Sequence, residues 1–461
     1  MRVGKSYDMD MCNGALASKI LRFALPLIIA DVLQLTFNAA DVVVVGKFVG
    51  DTSQAAVTST GALINLLIKL FLGLGVGVNV IVARALGSGD RSRISAVVHT
   101  AVVTGAVAGL FLTCVGELFA PVMLRLMGSP ENVIGLSTLY LRVYFIGLPG
   151  ALCYNFGAAL LRARGDTKRP MYFLTLAGVV NVVLNLIFVV FFHWDVAGVA
   201  AATAISKYVS AILVLWCLYQ ETGPMHLDPT KLKIDWDALK DIVRIGLPAG
   251  FQSSLFSLAN VTVQSAVNSM GEVVMAGAGA GSNIGGFIYT SANAFYQSAT
   301  TFTSQNYGAG KPDRVDRVFR WCMLFAITIP TVVGLTAYAF GPTLLSIYTN
   351  DPEVMRQGLI RLMCVGTCYG LCGIMEVGIG MLRGLDFSTG PTIISLLGSC
   401  GLRIVWVATV FQKYSTPQSL YICWPISWVV TGLVLCAYFF FVRPGVYAKI
   451  AAQKQEEPVQ Q

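Results

Sequence analysis

Twelve apolar stretches, each long enough to cross a bilayer, take up most of this 461-residue chain. They run over roughly 20–45, 57–84, 95–120, 133–161, 170–192, 197–219, 241–268, 273–304, 316–341, 355–382, 391–411 and 419–442. A crossing helix needs about 20 residues, because each adds about 1.5 Å across a hydrocarbon layer about 30 Å thick. No water reaches that layer, so a spanning segment must satisfy its own backbone N–H and C=O groups. Composition agrees: the mean hydropathy is +0.69 and only 12% of residues are charged, against about 25% in soluble domains. The expected fold class is an all-α membrane protein with twelve transmembrane helices.

Charge placement gives the expected topology. The net charge is +8, which by itself could mean a nucleic-acid partner. The lysines and arginines instead gather in alternate connections: Arg84, Arg91 and Arg93; Arg162, Arg164, Lys168 and Arg169; Lys231, Lys233, Lys240 and Arg244; Lys311, Arg314, Arg317 and Arg320. The other connections offer little beyond Lys47, Arg125 and Lys413. By the positive-inside rule both termini are cytoplasmic, and no nucleic acid is expected. The eleven cysteines are scattered, most of them inside apolar segments, and His99, His193 and His226 stand far apart. No metal-ligand motif is present, and no metal is expected.

The chain repeats itself after 221 to 222 residues. L-R-F-A-L-P at 21–26 matches V-R-I-G-L-P at 243–248, Asn38 aligns with Asn260, and L-R-A-R-G-D-T-K-R-P at 161–170 matches L-R-G-L-D-F-S-T-G-P at 382–391. Six spans per half is an even number, so the halves share one orientation and are related by a pseudo-two-fold axis along the membrane normal. The expected domains are an amino-terminal six-helix lobe over 1–219, a cytoplasmic linker over 220–240, a carboxy-terminal six-helix lobe over 241–443 and a disordered tail over 444–461. Asp235 is placed to cap a short surface helix with Trp236, Leu239 and Ile242 on one face.

Polar residues inside the spans are the candidate functional groups, because ionisable side chains in a membrane are costly and mostly functional. The first span carries Asp31, Gln34, Asn38 and Asp41 at spacings of three, four and three, which set them on one narrow helical arc. Asp41 lies about 28 Å along the helix from Arg22, in the outer half of the bilayer. Pro26 removes one helical hydrogen bond and is a candidate bend. Lys69 and Lys207 lie inside spans two and six, and either could neutralise Asp41. The seventh and eighth spans carry Gln252, Asn260, Gln264, Asn268, Asn283, Asn293, Tyr296 and Gln297. With Gln34 and Asn38, the members Gln252, Asn260, Gln264, Asn283 and Tyr296 are the expected wall of a hydrated substrate cavity. Glu376 and Arg403, on consecutive antiparallel spans, are expected to form an ion pair.

The first span's P-L-I-I-A-D-V-L-Q-L-T-F-N-A-A-D-V-V-V-V-G, the L-R-A-R-G-D-T-K-R-P motif and their counterparts in the second half resemble the multidrug and toxic compound extrusion (MATE) family. The resemblance covers nearly the whole chain. It implies a pair of six-helix lobes, a cell-membrane location and a secondary antiporter exporting amphipathic, often cationic compounds against protons or sodium. It also implies a coupling site in the amino-terminal lobe. In this sequence that site comprises Asp41 of Asn38-Ala39-Ala40-Asp41, Asn181 and Asn185 of the fifth span, and Thr203 of the sixth, with Asp31 as an additional candidate. The family's second acid of the fifth span is Asn185 here, which leaves the ion's identity open between proton and sodium. The expected partners are small amphipathic molecules and membrane lipids, in a monomer without a cofactor. The alternative is a flippase for lipid-linked precursors, of the same wider superfamily. An enzyme is not expected, since no His or Cys cluster or paired acids stand at catalytic spacing.

Overall fold

The computed structural model describes residues 8–49, 51–126 and 131–456. In chain order its α-helices are α1 (Leu16–Phe48), α2 (Asp51–Ser88), α3 (Arg91–Leu126), α4 (Glu131–Ile146), α5 (Leu148–Ala163), α6 (Lys168–Leu186), α7 (Asp195–Gln220), α8 (Trp236–Asn268) and α9 (Glu272–Gly308). There follow α10 (Pro312–Ala339), α11 (Gly341–Leu345), α12 (Pro352–Cys364), α13 (Tyr369–Gly384), α14 (Thr389–Ser395), α15 (Leu402–Ala408), α16 (Val410–Lys413), α17 (Pro417–Tyr421) and α18 (Cys423–Glu456). Among the described residues there is no strand.

Among the described residues twelve long passages result once broken helices are joined: α1, α2, α3, α4–α5, α6, α7, α8, α9, α10, α12–α13, α14–α16 and α18. Among the described residues nine passages are long and apolar enough to span on composition alone, and the α4–α5 pair makes ten. That pair bends by 45° at Gly147. The remaining two, α8 and α9, have 33 and 37 residues but carry the amides noted above. Short π-helical turns at Ile187–Phe191 and Leu396–Gly401 interrupt the fifth and eleventh passages.

Two compact units emerge. One takes in the described residues up to Met9 together with Ile29–Phe251, and the other takes in Asp10–Ile28 and the chain from Gln252 onward. These borders differ from the lobes expected at 219 and 241. Helices α1 and α8 each change unit within a turn of their internal prolines, Pro26 and Pro248. Side chains explain it. In the first unit, α2 and the early part of α8 touch backbone to backbone. A Cβ on Gly73 would sit 2.1 Å from the Gly250 nitrogen, and one on Gly250 would sit 2.0 Å from the Leu70 oxygen. In the second unit, Ile20 and Phe23 of early α1 are fully buried, and Phe23 meets Phe302 of α9 edge-on at 5.6 Å.

The linker begins after Gln220, forms two 3-10 turns at Gly223–Met225 and Pro229–Lys231, and ends where α8 starts. Asp235 Oδ1 accepts from the Ala238 N–H at 2.8 Å, as an N-cap does. The separate surface helix expected there is not separate, because nothing between Trp236 and Pro248 breaks the helix. The tail expected to be disordered from 444 is likewise helical through Glu456. Val446 and Ile450, one turn apart, are buried, and Arg443 and the Tyr447 hydroxyl both bond Asp316 Oδ1, at 3.0 and 2.9 Å. Residues 457–461 of that tail lie outside the described residues.

Candidate functional site

The first unit builds a polar cluster where α1, α6 and α7 meet. Asn181 and Asn185 stand four residues apart on α6, and Thr203 and Lys207 do the same on α7, so each pair shares a helix face. Gly178 brings α6 against α1: a Cβ there would lie 1.9 Å from the Phe37 ring. Asp41, one turn beyond Phe37, then faces the asparagines. Asn185 Nδ2 donates to Asp41 Oδ1 at 2.5 Å and reaches Asn181 Oδ1 at 3.5 Å. Asn181 Nδ2 donates to Thr203 Oγ1 at 3.3 Å, whose hydroxyl donates to the Val199 carbonyl at 2.9 Å. Thr203 also stands near the Asp41 carboxylate. The Asn185 amide stands between two acceptors, which fixes its nitrogen toward them. Its Oδ1 is buried with no partner among the described residues.

Lys207 completes the cluster. Its ammonium lies 3.3 Å from the centre of the Tyr144 ring, a cation–π contact. Its Nζ is buried and has no hydrogen-bond partner among the described residues. Its charge attracts that of Asp41. Of the two lysines that could balance Asp41, Lys207 is the one placed to do so. The close packing of Gly147 and Gly150 against α7 sets this geometry, since a Cβ on Gly147 would come within 3.3 Å of Lys207 Cδ.

The structure thus brings together Asp41, Asn181, Asn185 and Thr203. Asp31 does not join them. It stands about 15 Å earlier on α1, and its charge acts on Arg162 and Tyr154. Pro26 lies inside the continuous helix α1. Of the expected cavity wall, Gln34 and Asn38 are exposed on the first unit, and Asn260, Gln264 and Asn283 on the second. Gln252 and Tyr296 are turned to another task. Arg383, 4% exposed, donates to Gln252 Oε1 at 2.9 Å and to the Tyr296 hydroxyl at 2.7 Å.

One expectation is corrected. Glu376 and Arg403 do not pair in this structure. Glu376 accepts from the Tyr289 hydroxyl at 3.0 Å, while Arg403 bonds Ser427 and Asn260 and stacks on Trp424. Their side chains leave α13 and α15 toward different neighbours, which residue counts along a helix do not reveal. Sequence reasoning also missed Tyr144 and Arg383 as parts of these clusters. Arg383 lies in the second copy of the repeated motif, L-R-G-L-D against L-R-A-R-G at 161–165, which was the available signal; Tyr144 carried none.

Comparison with known proteins agrees with this architecture. The MatE family model matches residues 26–187 and again 248–409, together more than two-thirds of the chain, and each match opens on one of the two prolines. The probable multidrug resistance protein YoeA of Bacillus subtilis is 29% identical, over 91% of this chain and 92% of its own length. The FAD transporter of Shewanella oneidensis is 24% identical, over 91% and 93%. The fold is that of a solved structure of a multidrug resistance MATE family transporter in an outward-facing conformation, with a TM-score of 0.88 at 22% identity over 95% of this chain and 98% of that one. With the family model matched in both halves and the fold shared throughout, this chain belongs to the MatE family of membrane transporters.

Proposed function

We propose that this transporter is a secondary antiporter that exports amphipathic, mainly cationic organic compounds in exchange for protons, and that Asp41 couples the two. The observation that carries the reading is the company Asp41 keeps. Its carboxylate receives an amide N–H and stands near a hydroxyl and an ammonium. A sodium ion needs several oxygens around it, whereas an N–H and an ammonium oppose a metal cation. A proton needs only the carboxylate. The names of several relatives, multidrug resistance and export proteins among them, support organic cargo.

The charge balance suggests how exchange works. With Asp41 ionised and Lys207 protonated, the cluster is neutral, and a cationic cargo meets no net repulsion. A proton entering on Asp41 leaves the Lys207 ammonium unbalanced. The asparagine relay to Thr203 must then rearrange, because a protonated carboxyl can donate as well as accept. Proton and cargo therefore favour different states of the site, which is all that coupling requires. Ethidium efflux from proteoliposomes, driven by separately imposed pH and sodium gradients, tests this. The pH gradient alone should drive export in the wild type. Asp41→Asn should insert and fold normally yet lose export by about two orders of magnitude, the scale of a lost proton-transfer group. Wild-type efflux from Asp41→Asn would remove Asp41 from the coupling role, and efflux driven only by sodium would replace the proton.

A further inference from the structure

The second unit gathers two arginines around one group of aromatic rings. Arg403 of α15 is 3% exposed, and its guanidinium lies 4.0 Å from the ring centre of Trp424 on α18. Arg361 of α12 lies 5.8 Å from the same ring and 5.2 Å from the ring of Tyr421. Their hydrogen-bond partners are neutral. Arg403 donates from Nε to Ser427 Oγ at 3.0 Å and from Nη1 to Asn260 Oδ1 at 3.4 Å. Arg361 donates from Nη2 to Ser282 Oγ at 3.4 Å. Among the described residues no carboxylate lies within the 4.0 Å of an ion pair from either guanidinium. Within the same cluster the Trp424 indole N–H is buried with no acceptor among the described residues.

Two cations in the apolar layer without a counter-ion are expensive, and contact with an aromatic face returns only part of that cost. A buried indole N–H without an acceptor adds to the debt. All three demands are for the same thing, an acceptor that is negatively charged. Arginine's planar fork fits the oxygens of a phosphate or carboxylate, often two at a time. We propose that Arg403, Arg361 and the Trp424 N–H form a binding site for the phosphate or carboxylate group of an amphipathic molecule, with the Trp424 and Tyr421 rings as its apolar wall. The site is separate from Asp41 and does not depend on how that residue couples. It gives the transporter a basic station in addition to the Asp41–Lys207 cluster, in which the two charges balance. Zwitterionic and anionic amphiphiles then join cations as candidate ligands.

The test uses the full chain in phosphatidylcholine nanodiscs, with empty nanodiscs as blank. The probes are 1-pyrenebutyrate and its uncharged analogue 1-pyrenebutanol, followed by energy transfer from tryptophan to pyrene. The acid should bind about tenfold more tightly than the alcohol, the scale of one charge-assisted pair. Arg403→Gln should remove most of that advantage while leaving alcohol binding unchanged. Arg361→Gln, a half-buried position on a separate helix, should do the same and serves if Arg403→Gln fails to fold. Equal binding of acid and alcohol to the wild type would overturn the site without any variant, as would an Arg361→Gln protein that keeps the full preference. A last arm adds phosphatidylglycerol to the nanodisc. Competition with pyrenebutyrate in the wild type supports the site with a lipid headgroup as its occupant. Unchanged pyrenebutyrate binding supports it with a soluble amphiphile as occupant.

Discussion

Lys207 is the side chain on which the proposed exchange turns, because it decides what charge remains when Asp41 takes a proton. Its ammonium rests on the Tyr144 ring at 3.3 Å and has no hydrogen-bond partner among the described residues. Lys207→Gln removes the unbalanced charge while keeping a side chain of similar length. In the wild type, ethidium affinity should fall as the pH is lowered. In Lys207→Gln that fall should be much flatter, since protonating Asp41 no longer leaves a cation facing the cargo. Equilibrium binding of ethidium in detergent at several pH values measures it, and a slope equal to the wild type's would exclude Lys207 from cargo release. The Asp41 cluster shows how far residue patterns reach. Asn181 with Asn185, and Thr203 with Lys207, are readable as pairs because helix geometry alone sets them on shared faces. Which face of α6 meets which face of α1 depends on Gly178 and Phe37, a contact made across well over a hundred residues of chain. Depth along the helix axes suggested pairing Glu376 with Arg403; rotation about those axes gave Glu376 to Tyr289 and Arg403 to Trp424.

At the scale of helices, α2 and α8 cross at a separation that only glycine permits. Gly73 faces Gly250, and Gly246 faces Leu74, where an added Cβ would lie 2.5 Å from the Leu74 Cα. Gly250→Ala must force two backbones apart, since no flexible side chain is there to give way. The cost should reach the upper part of the range for overpacking, about 3 kcal/mol, and appear as a lower thermal-unfolding midpoint. Gly279→Ala is the control: nothing lies within 4 Å of its Cβ position, and the better helix former should leave stability equal or higher by up to about 1 kcal/mol. Equal losses from both would mean that helix crossing is not what Gly250 serves. Hydropathy found the passages but not their breaks. The bend at Gly147, the π-helical turns and the 3-10 turn at Gly366–Cys368 occur inside continuous apolar runs. Such runs satisfy the membrane equally well bent or straight, so the pattern holds no record of the break. The terminal helix was hidden for a different reason. Pro444 and the polar residues after it suggest an end, while the contacts with Asp316 that continue α18 come from a distant part of the sequence.

At the scale of the molecule, the six passages in each half make a testable prediction about sidedness. If each passage crosses once, the turns after α2, α5, α7, α9 and α13 all emerge on one side, and those after α1, α3, α6, α8, α10 and α16 on the other. The first set carries most of the arginine and lysine, from which the positive-inside rule predicts that it lies in the cytoplasm together with both termini. The amide-rich helices α8 and α9 are where this could fail, since on apolarity alone they do not qualify as spans. If they stopped short of crossing, the parity of everything after them would still be kept, because they come as a pair; if only one crossed, every later turn would change sides. Single cysteines can tell these apart, in a background from which the eleven native thiols have been removed. Ser88→Cys and Lys168→Cys report on the first half, and Asp313→Cys, Asn350→Cys and Ser415→Cys on the second; all five positions are exposed. In intact cells a membrane-impermeant maleimide should label Asn350→Cys and Ser415→Cys, and leave Ser88→Cys, Lys168→Cys and Asp313→Cys unlabelled until the membrane is opened. Labelling of Asp313→Cys but not Asn350→Cys from outside, with Ser88→Cys still protected, would mean that only one of α8 and α9 crosses, and would overturn the shared orientation of the two halves.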